Sequence, residues 1–238
     1  IRSKDGLRFK RDPMKLYGDP ISTTCRPVML FAAQSGIDIE LHFIDLFKGA
    51  HMQPEFAAIN PSRAVPVLED DGFLLNESSA ILKYIADKVN SPSYPKDLKK
   101  RAKINAMMDW FNTGLYRDLG YGMVYGQVLP DYVYSDAAVQ SAVLARAQKK
   151  ANHWLQILND SVLGANKKFV CGSEITLADY LGVCFLTLGE VAQLKYDAYP
   201  NVTRWISTLK SRPTWAKANE GFYQYFVGGY KDRKFLPL

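Results

Sequence analysis

The feature that most constrains this chain is a change of hydrophobic rhythm about a third of the way along. From Met14 to about Lys88, short apolar runs of strand length alternate with helical ones. Beyond Asn90–Lys96 the apolar stripes all carry helical spacing. A period of two puts alternate side chains on opposite faces of a strand, whereas a period of 3.6 lines them along one stripe of a helix. A chain that switches between them is expected to fold as an α/β domain followed by an all-α helical domain.

The first part is read in order. Lys15–Gly18 is a short strand, and Thr24–Gln34 is a helix with Pro27 in its first turn and Gly36 as its stop. Ile39, Leu41 and Phe43 alternate with Glu40 and His42, which predicts a second strand. Val65–Leu68 and Phe73–Leu75 flank Glu69-Asp70-Asp71-Gly72, a hairpin. Ser78 is read as the N-cap of a closing helix whose apolar face is Ile81, Leu82, Ile85 and Val89. The predicted order is β-α-β, a connecting segment, then β-β-α.

The segment NSPSYPK, with two prolines and no periodicity, is assigned as a linker. The expected units are therefore 14–89, a linker over 90–96, and a helical domain over 97–238. Within the last, Ile104, Met107, Met108, Phe111 and Leu115 form one stripe, and Val139, Val143, Ala147, Ala151, Trp154 and Leu158 a second. Thr176-Leu-Ala-Asp179 is a capping box opening a helix to about Leu194, and Asn201–Lys210 is a shorter helix before Pro213. Gly120–Pro130, with three glycines, is read as a loop or bend.

Charge and composition exclude some functions. The net charge is +6, but residues 1–13 read as a leader or cloning remnant and carry half of it, leaving +3 from Met14 onward. That is ordinary for a soluble protein and no basis for nucleic-acid binding. No run approaches the roughly 20 apolar residues of a membrane span, and the leader lacks the apolar core of a signal peptide. Cys25, Cys171 and Cys184 form no CxxC pair and no metal-ligand cluster with the three histidines. Free thiols in odd number point to a reducing compartment, the cytoplasm.

Three short segments carry chemistry. In DPISTTCRPV (Asp19–Val28) a serine and two threonines precede a helix N-terminus, where backbone N–H groups favour an anion such as a thiolate; Ser22 or Thr24 could equally be a plain cap. In Ala64–Pro66 a proline meets a strand start, trans by default. In NESSAI (Asn76–Ile81) Ser78 could bind a carboxylate and Glu77 an ammonium, or Ser78 could simply cap.

Taken together, LYGDPISTTCRPV, FKGAHMQPEF, INPSRAVPVLEDDGF and NESSAILKYIADK resemble the N-terminal domain of the cytosolic glutathione transferases, which is thioredoxin-like. SYPKDLKKRAKINAMMDWF extends the likeness into the helical part. The pattern is most similar to the theta-like classes, which use serine.

That resemblance implies roles. Ser22 matches the serine that donates to the glutathione sulfur. Val65 matches the residue whose backbone pairs with the cysteinyl part, ahead of a cis Pro66. Glu77 and Ser78 match the pair that holds the γ-glutamyl end, and His51 a histidine near the glycyl carboxylate. Phe111, Leu115, Tyr116 and Tyr121 are the candidates for a second-substrate pocket between the domains. Thr23 is the nearest substitute for Ser22, and Cys25 and Tyr17 are weaker rivals.

Some relatives carry lysine or glutamine where this chain has Ala64, beside Arg63. The function implied is conjugation of glutathione, as co-substrate, to small electrophiles in detoxification, without a metal, by a homodimer with no nucleic-acid or membrane partner. A glutathione-dependent dehalogenase and a non-catalytic transferase-like binding module are the alternatives.

Overall fold

The computed structural model describes residues 13–238, so the leader lies, apart from Pro13, outside the described residues. The N-terminal part contains β1 (Met14–Gly18), α1 (Cys25–Ser35), β2 (Ile39–Phe43), α2 (Pro54–Ile59), β3 (Val67–Asp70), β4 (Phe73–Asn76) and α3 (Ser78–Lys88). The four strands are ordered β2-β1-β3-β4, with β2 parallel to β1 and β3 and β4 antiparallel to their neighbours. This mixed sheet follows from the connections: a helical crossover joins β1 to β2, whereas a tight turn joins β3 to β4.

Local signals account for most of these elements. In β1, Met14, Leu16 and Gly18 are buried and the residues between them are only partly so, the alternation of a sheet with one covered face. Helix α1 stops at Gly36, whose φ of 65° suits a residue without Cβ. The β3–β4 turn is tighter than expected. Only Asp71 and Gly72 lie outside the strands, with φ of 51° and 80°, the two-residue turn that matches sheet twist.

One expectation about α3 needs correction. Ser78 is the first residue of α3 and Glu77, at φ 67° and ψ 110°, is the cap. The strand predicted from the alternation of Ile39, Leu41 and Phe43 forms as β2 at the sheet edge, with Leu41 and Phe43 exposed.

The helical part begins with α4 (Leu98–Trp110), capped by Asp97, whose carboxylate accepts from Lys100 N–H at 2.8 Å. The rod continues in wider, π-type winding over Phe111–Tyr125 and ends in the single turn α5 (Gly126–Val128). Then follow α6 (Ala137–Ile157), α7 (Leu177–Thr187), α8 (Pro200–Lys210), α9 (Trp215–Ala218) and α10 (Gly228–Tyr230). Helix α7 is buried at every residue and is the axis of this part, as a helix apolar all round must be. It is shorter than the expected run to Leu194: after Thr187 the winding tightens to a 3-10 turn that ends at Ala192.

Gly120–Val128 is helix and not a loop, with the chain turning extended only at Leu129, and the glycines explain why. None of Gly120, Gly122 and Gly126 has a positive φ, so none makes a turn. A Cβ on Gly122 would sit 2.7 Å from that of Ala147 on α6, and one on Gly120 would overlap the Tyr116 ring. Gly122 and Gly126 let this helix approach α6, and Gly120 makes room for the Tyr116 ring of its own helix. Gly182 on α7 does the same for Phe111, whose ring stacks on Trp205 at 6.2 Å and cannot retreat. Gly182→Ala is therefore expected to destabilise by about 1–3 kcal/mol through overpacking. Thermal unfolding checks this; an unchanged midpoint would show that the ring has room to yield.

The two parts share one interface. Helix α1 packs against α3 on its own side and against α7 and α9 on the other. The connecting segment is itself packed: Ser91, Ser93 and Tyr94 are buried, and the Ser93 carbonyl accepts from Leu177 N–H at 3.1 Å. The first turn of α1 is thus held from both sides.

Candidate functional site

The loop between β1 and α1 is built on a buried carboxylate. Asp19 accepts from Ile21 N–H at 3.0 Å and from Leu46 N–H at 3.1 Å, joining this loop to the one after β2. Burial pushes its carboxyl up, and the two N–H bonds partly oppose the shift. The loop places Ser22, 8% exposed, immediately before α1.

Ser22 Oγ accepts from the N–H groups of Thr24 and Cys25, each at 3.3 Å. It also lies 3.1 Å from Thr24 Oγ1. Thr24 Oγ1 donates its own proton to the Val65 carbonyl at 2.9 Å, so in that hydroxyl pair Ser22 is the donor. A donor proton therefore sits at the positive end of α1, on an oxygen whose lone pairs are already engaged. An anion arriving there competes with Thr24 for that proton.

Val65 is the second part, and its bond to Pro66 is cis. Its carbonyl takes the Thr24 hydroxyl, and among the described residues its N–H has no hydrogen-bond partner. Asn60 shapes this loop by donating to the Ala64 carbonyl at 2.8 Å and accepting from Ser62 N–H at 3.1 Å. The third part is the entry to α3, where Ser78 is buried and Glu77 is exposed with positive φ. His51 lies on a short 3-10 turn after β2, half-buried, with Nδ1 shielded from solvent and unpartnered. Ala64 and Arg63 are both exposed, and Arg63 has φ of 52°.

The rivals to Ser22 are otherwise engaged. Tyr17 donates to Glu69 Oε2 at 2.6 Å, and that bond, ahead of burial, pushes its phenol up to about 12. Cys25 is fully buried, and desolvation pushes its thiol up to about 12. Both stay protonated at neutral pH. Thr23 points to the helical part, where its hydroxyl lies 2.9 Å from Tyr125 Oη, which is 3.0 Å from Tyr116 Oη.

Of the residues proposed for a second pocket, Phe111 and Leu115 are sealed in the helical core and Tyr116 is 6% exposed, stacked on Phe185 at 4.1 Å. Tyr121 is open at 44% and forms a ring cluster with Tyr125 and Tyr132. A cavity of about 390 Å³ lined by Tyr121, Asp131, Tyr132 and Tyr134 opens beside it.

Neither Tyr125 nor Asn60 stands out in the sequence as a site residue, and Thr24 reads there only as a cap. Asn60-Pro61 was a legible turn signal. Tyr125 carried none, since its contact with Thr23 spans 102 residues.

Comparison with known proteins agrees with this geometry. Residues 21–88 match the family model for the glutathione S-transferase N-terminal domain, and residues 128–213 match that for the C-terminal domain. The chain is 35% identical to human glutathione S-transferase theta-1 over 196 residues, covering 81% of this chain and 80% of that one. It is 34% identical to mouse theta-3 over 214 residues, covering 89% and 86%. A delta-class glutathione transferase of Nilaparvata lugens superposes with a TM-score of 0.79 at 34% identity, covering 92% of this chain and 99% of that one. Apo human T1-1 gives 0.78 at 30% identity, covering 93% and 92%. The chain belongs to the glutathione S-transferase family and is a theta-like enzyme of it. Glutathione is the family's co-substrate, and detoxification its typical role. Among the described residues no helix is long and apolar enough to cross a membrane.

Proposed function

We propose that this transferase conjugates glutathione to small electrophiles and that Ser22 stabilises the attacking thiolate. The observation that carries this reading is the Ser22 hydroxyl proton held at the N-terminus of α1, beside Val65 and its unpartnered N–H. A free thiol with a pKa of about 8.5 is only a few per cent thiolate at pH 7. A hydroxyl donor and the helix end together lower that pKa by favouring the charged form. Ser22 moves its hydrogen bond from Thr24 to sulfur and is neither base nor covalent nucleophile. The sulfur lone pair forms the S–C bond while the C–X bond breaks, and the leaving group departs with its electrons.

In the same reading the backbone of Val65 pairs with the cysteinyl unit of glutathione, next to Pro66. Glu77 and Ser78 take the γ-glutamyl ammonium and carboxylate, and His51 faces the glycyl carboxylate. The electrophile lies against Tyr121, Tyr125 and Tyr132. The enzyme works in the cytoplasm as a homodimer, for which exposed Phe73, Leu74, Val89 and Leu98 offer apolar contact area.

The test is incubation of glutathione with a haloalkane and the parent protein. A stable thioether with one equivalent of halide supports conjugation, whereas halide release with glutathione regenerated would assign a hydrolytic dehalogenase. A second variant separates neighbouring hydroxyls. Thr23→Val loses the bond to Tyr125 and is expected to leave the bound-thiol pKa at the parental value while slowing turnover of the electrophile severalfold. A raised thiol pKa in Thr23→Val would move the activating role from Ser22 to Thr23.

A further inference from the structure

Arg26 is a buried cation that the proposed chemistry has not used. It is 0% exposed, in the first turn of α1. Its guanidinium donates to Asn219 Oδ1 at 2.8 Å, to the Cys184 carbonyl at 3.2 Å and to Thr187 Oγ1 at 2.8 Å. It also lies 3.6 Å above the centre of the Phe222 ring. All four partners are neutral.

The titratable groups around it leave the charge unpaired. Burial pushes the Cys184 thiol up to about 11 and the Tyr125 phenol up to about 12, and it also raises Tyr223, so these three stay uncharged at neutral pH. Glu190 is close enough to feel the guanidinium, yet its two oxygens are bound by Lys210 Nζ at 3.0 and 3.1 Å. Arginine does not shed its proton to escape burial. A buried charge without a counter-ion is a costly way to fill space, and an apolar side chain of similar volume would do that better.

Position supplies a reason. Arg26 N–H donates to the Ser22 carbonyl at 3.0 Å, so the two residues stand one helical turn apart. The loop also holds the buried carboxylate of Asp19, whose negative charge opposes a second anion at Ser22. An unpaired cation acting through protein, where screening is weak, counters it.

We propose that Arg26 is a supporting electrostatic residue: its unpaired charge offsets Asp19 and lowers the thiol pKa of glutathione held at Ser22, with Asn219 as the positioning residue for its guanidinium. This rests on the Ser22 reading and deepens it. The full fold is required, because Cys184, Thr187, Asn219 and Phe222 all come from the helical part.

Asn219→Asp tests it. The new carboxylate keeps the acceptor for Arg26 Nε and places a counter-charge beside the guanidinium. Titrating the ultraviolet absorbance of bound glutathione thiolate should show a pKa about one unit above the parent, a tenfold loss of thiolate at a pH well below it. Arg26→Met is expected to raise the pKa similarly, and Arg26→Lys, which keeps a charge, to stay nearer the parent. Circular dichroism establishes which variants fold, and Asn219→Asp carries the test if Arg26→Met does not. A parental thiol pKa in folded Asn219→Asp overturns the proposal, and so does loss of glutathione binding there, which would make the cluster purely structural. Ser22→Ala measured alongside keeps the two ideas apart. If it raises the pKa while Asn219→Asp does not, Arg26 is excluded and Ser22 stands; if neither raises it, both fall.

Discussion

Ser22→Ala is expected to return bound glutathione towards the free-thiol pKa of about 8.5 and to lower kcat/KM at pH 7 by about 10²–10³-fold. The size follows from where the hydroxyl sits. It is almost enclosed, and its proton meets an anion in a site already biased by the α1 N-terminus, so little water is present to replace it. Preorganised donors of this kind act in the transition state without reorganising, and removing one typically costs two to three decades.

The sign with pH is definite. Because Ser22 favours the thiolate, the parent's rate should rise through a lowered pKa and the alanine variant's rate through a higher one. At a pH above both values the gap should narrow by the recovered thiolate fraction, about thirtyfold at most, and what remains measures the donor's effect on the transition state. A pH–rate profile of kcat/KM reads this directly. A constant ratio at all pH values would make Ser22 a packing residue. The variant also leaves the N–H groups of Thr24 and Cys25 without their acceptor, a stability cost of about 1 kcal/mol that does not depend on glutathione.

Asp179→Ala is expected to have the largest effect on folding. The carboxylate is 0% exposed and accepts from Val170 N–H, Thr176 N–H, Thr176 Oγ1 and Trp205 Nε1 at 2.8–2.9 Å. It closes the capping box of α7 and ties that helix to α8 through Trp205. Burial pushes its carboxyl up while the donated bonds oppose that shift, so the group is stable only as part of its network.

Alanine would leave four donors facing a small cavity, a loss of about 3–5 kcal/mol. For a chain of this size that is roughly a 10 °C fall in Tm. Thermal unfolding followed by circular dichroism measures it. A fall of only a degree or two would mean that water enters and satisfies those donors. The bound-thiol pKa of the surviving folded protein should match the parent, since the Asp179 network joins Val170, Thr176 and Trp205 and contacts neither Ser22 nor Arg26.

Much of the N-terminal part was legible because its signals are local. A strand period, the Asp71-Gly72 turn and Gly36 after α1 each act within a few residues, and each element formed where its signal stood. The errors share a cause as well. Gly120, Gly122 and Gly126 read as loop or bend residues, although a glycine serves a tight turn and a close packing contact equally well. Only the Tyr116 ring packed along the same helix, and Ala147 and Leu144 across the interface on α6, decide between them. Ser78 reads as the cap of α3 because serine favours that position, but the backbone puts Glu77 there with positive φ.

Ser22 shows the same division. The sequence by itself determined a hydroxyl before a helix, a proline at a strand start, a glutamate–serine pair before another helix, and, through their order, the family. These are properties of neighbours, set by backbone geometry and side-chain chemistry within one turn. The tertiary structure alone decided what each hydroxyl faces. It joins Thr24 to Val65, turns Thr23 towards Tyr125, and brings Asn219 to Arg26 across 193 residues. Contacts at such separations depend on how α1 packs between the sheet and α7, and that packing minimises exposed apolar area over the whole chain, so no short segment encodes it.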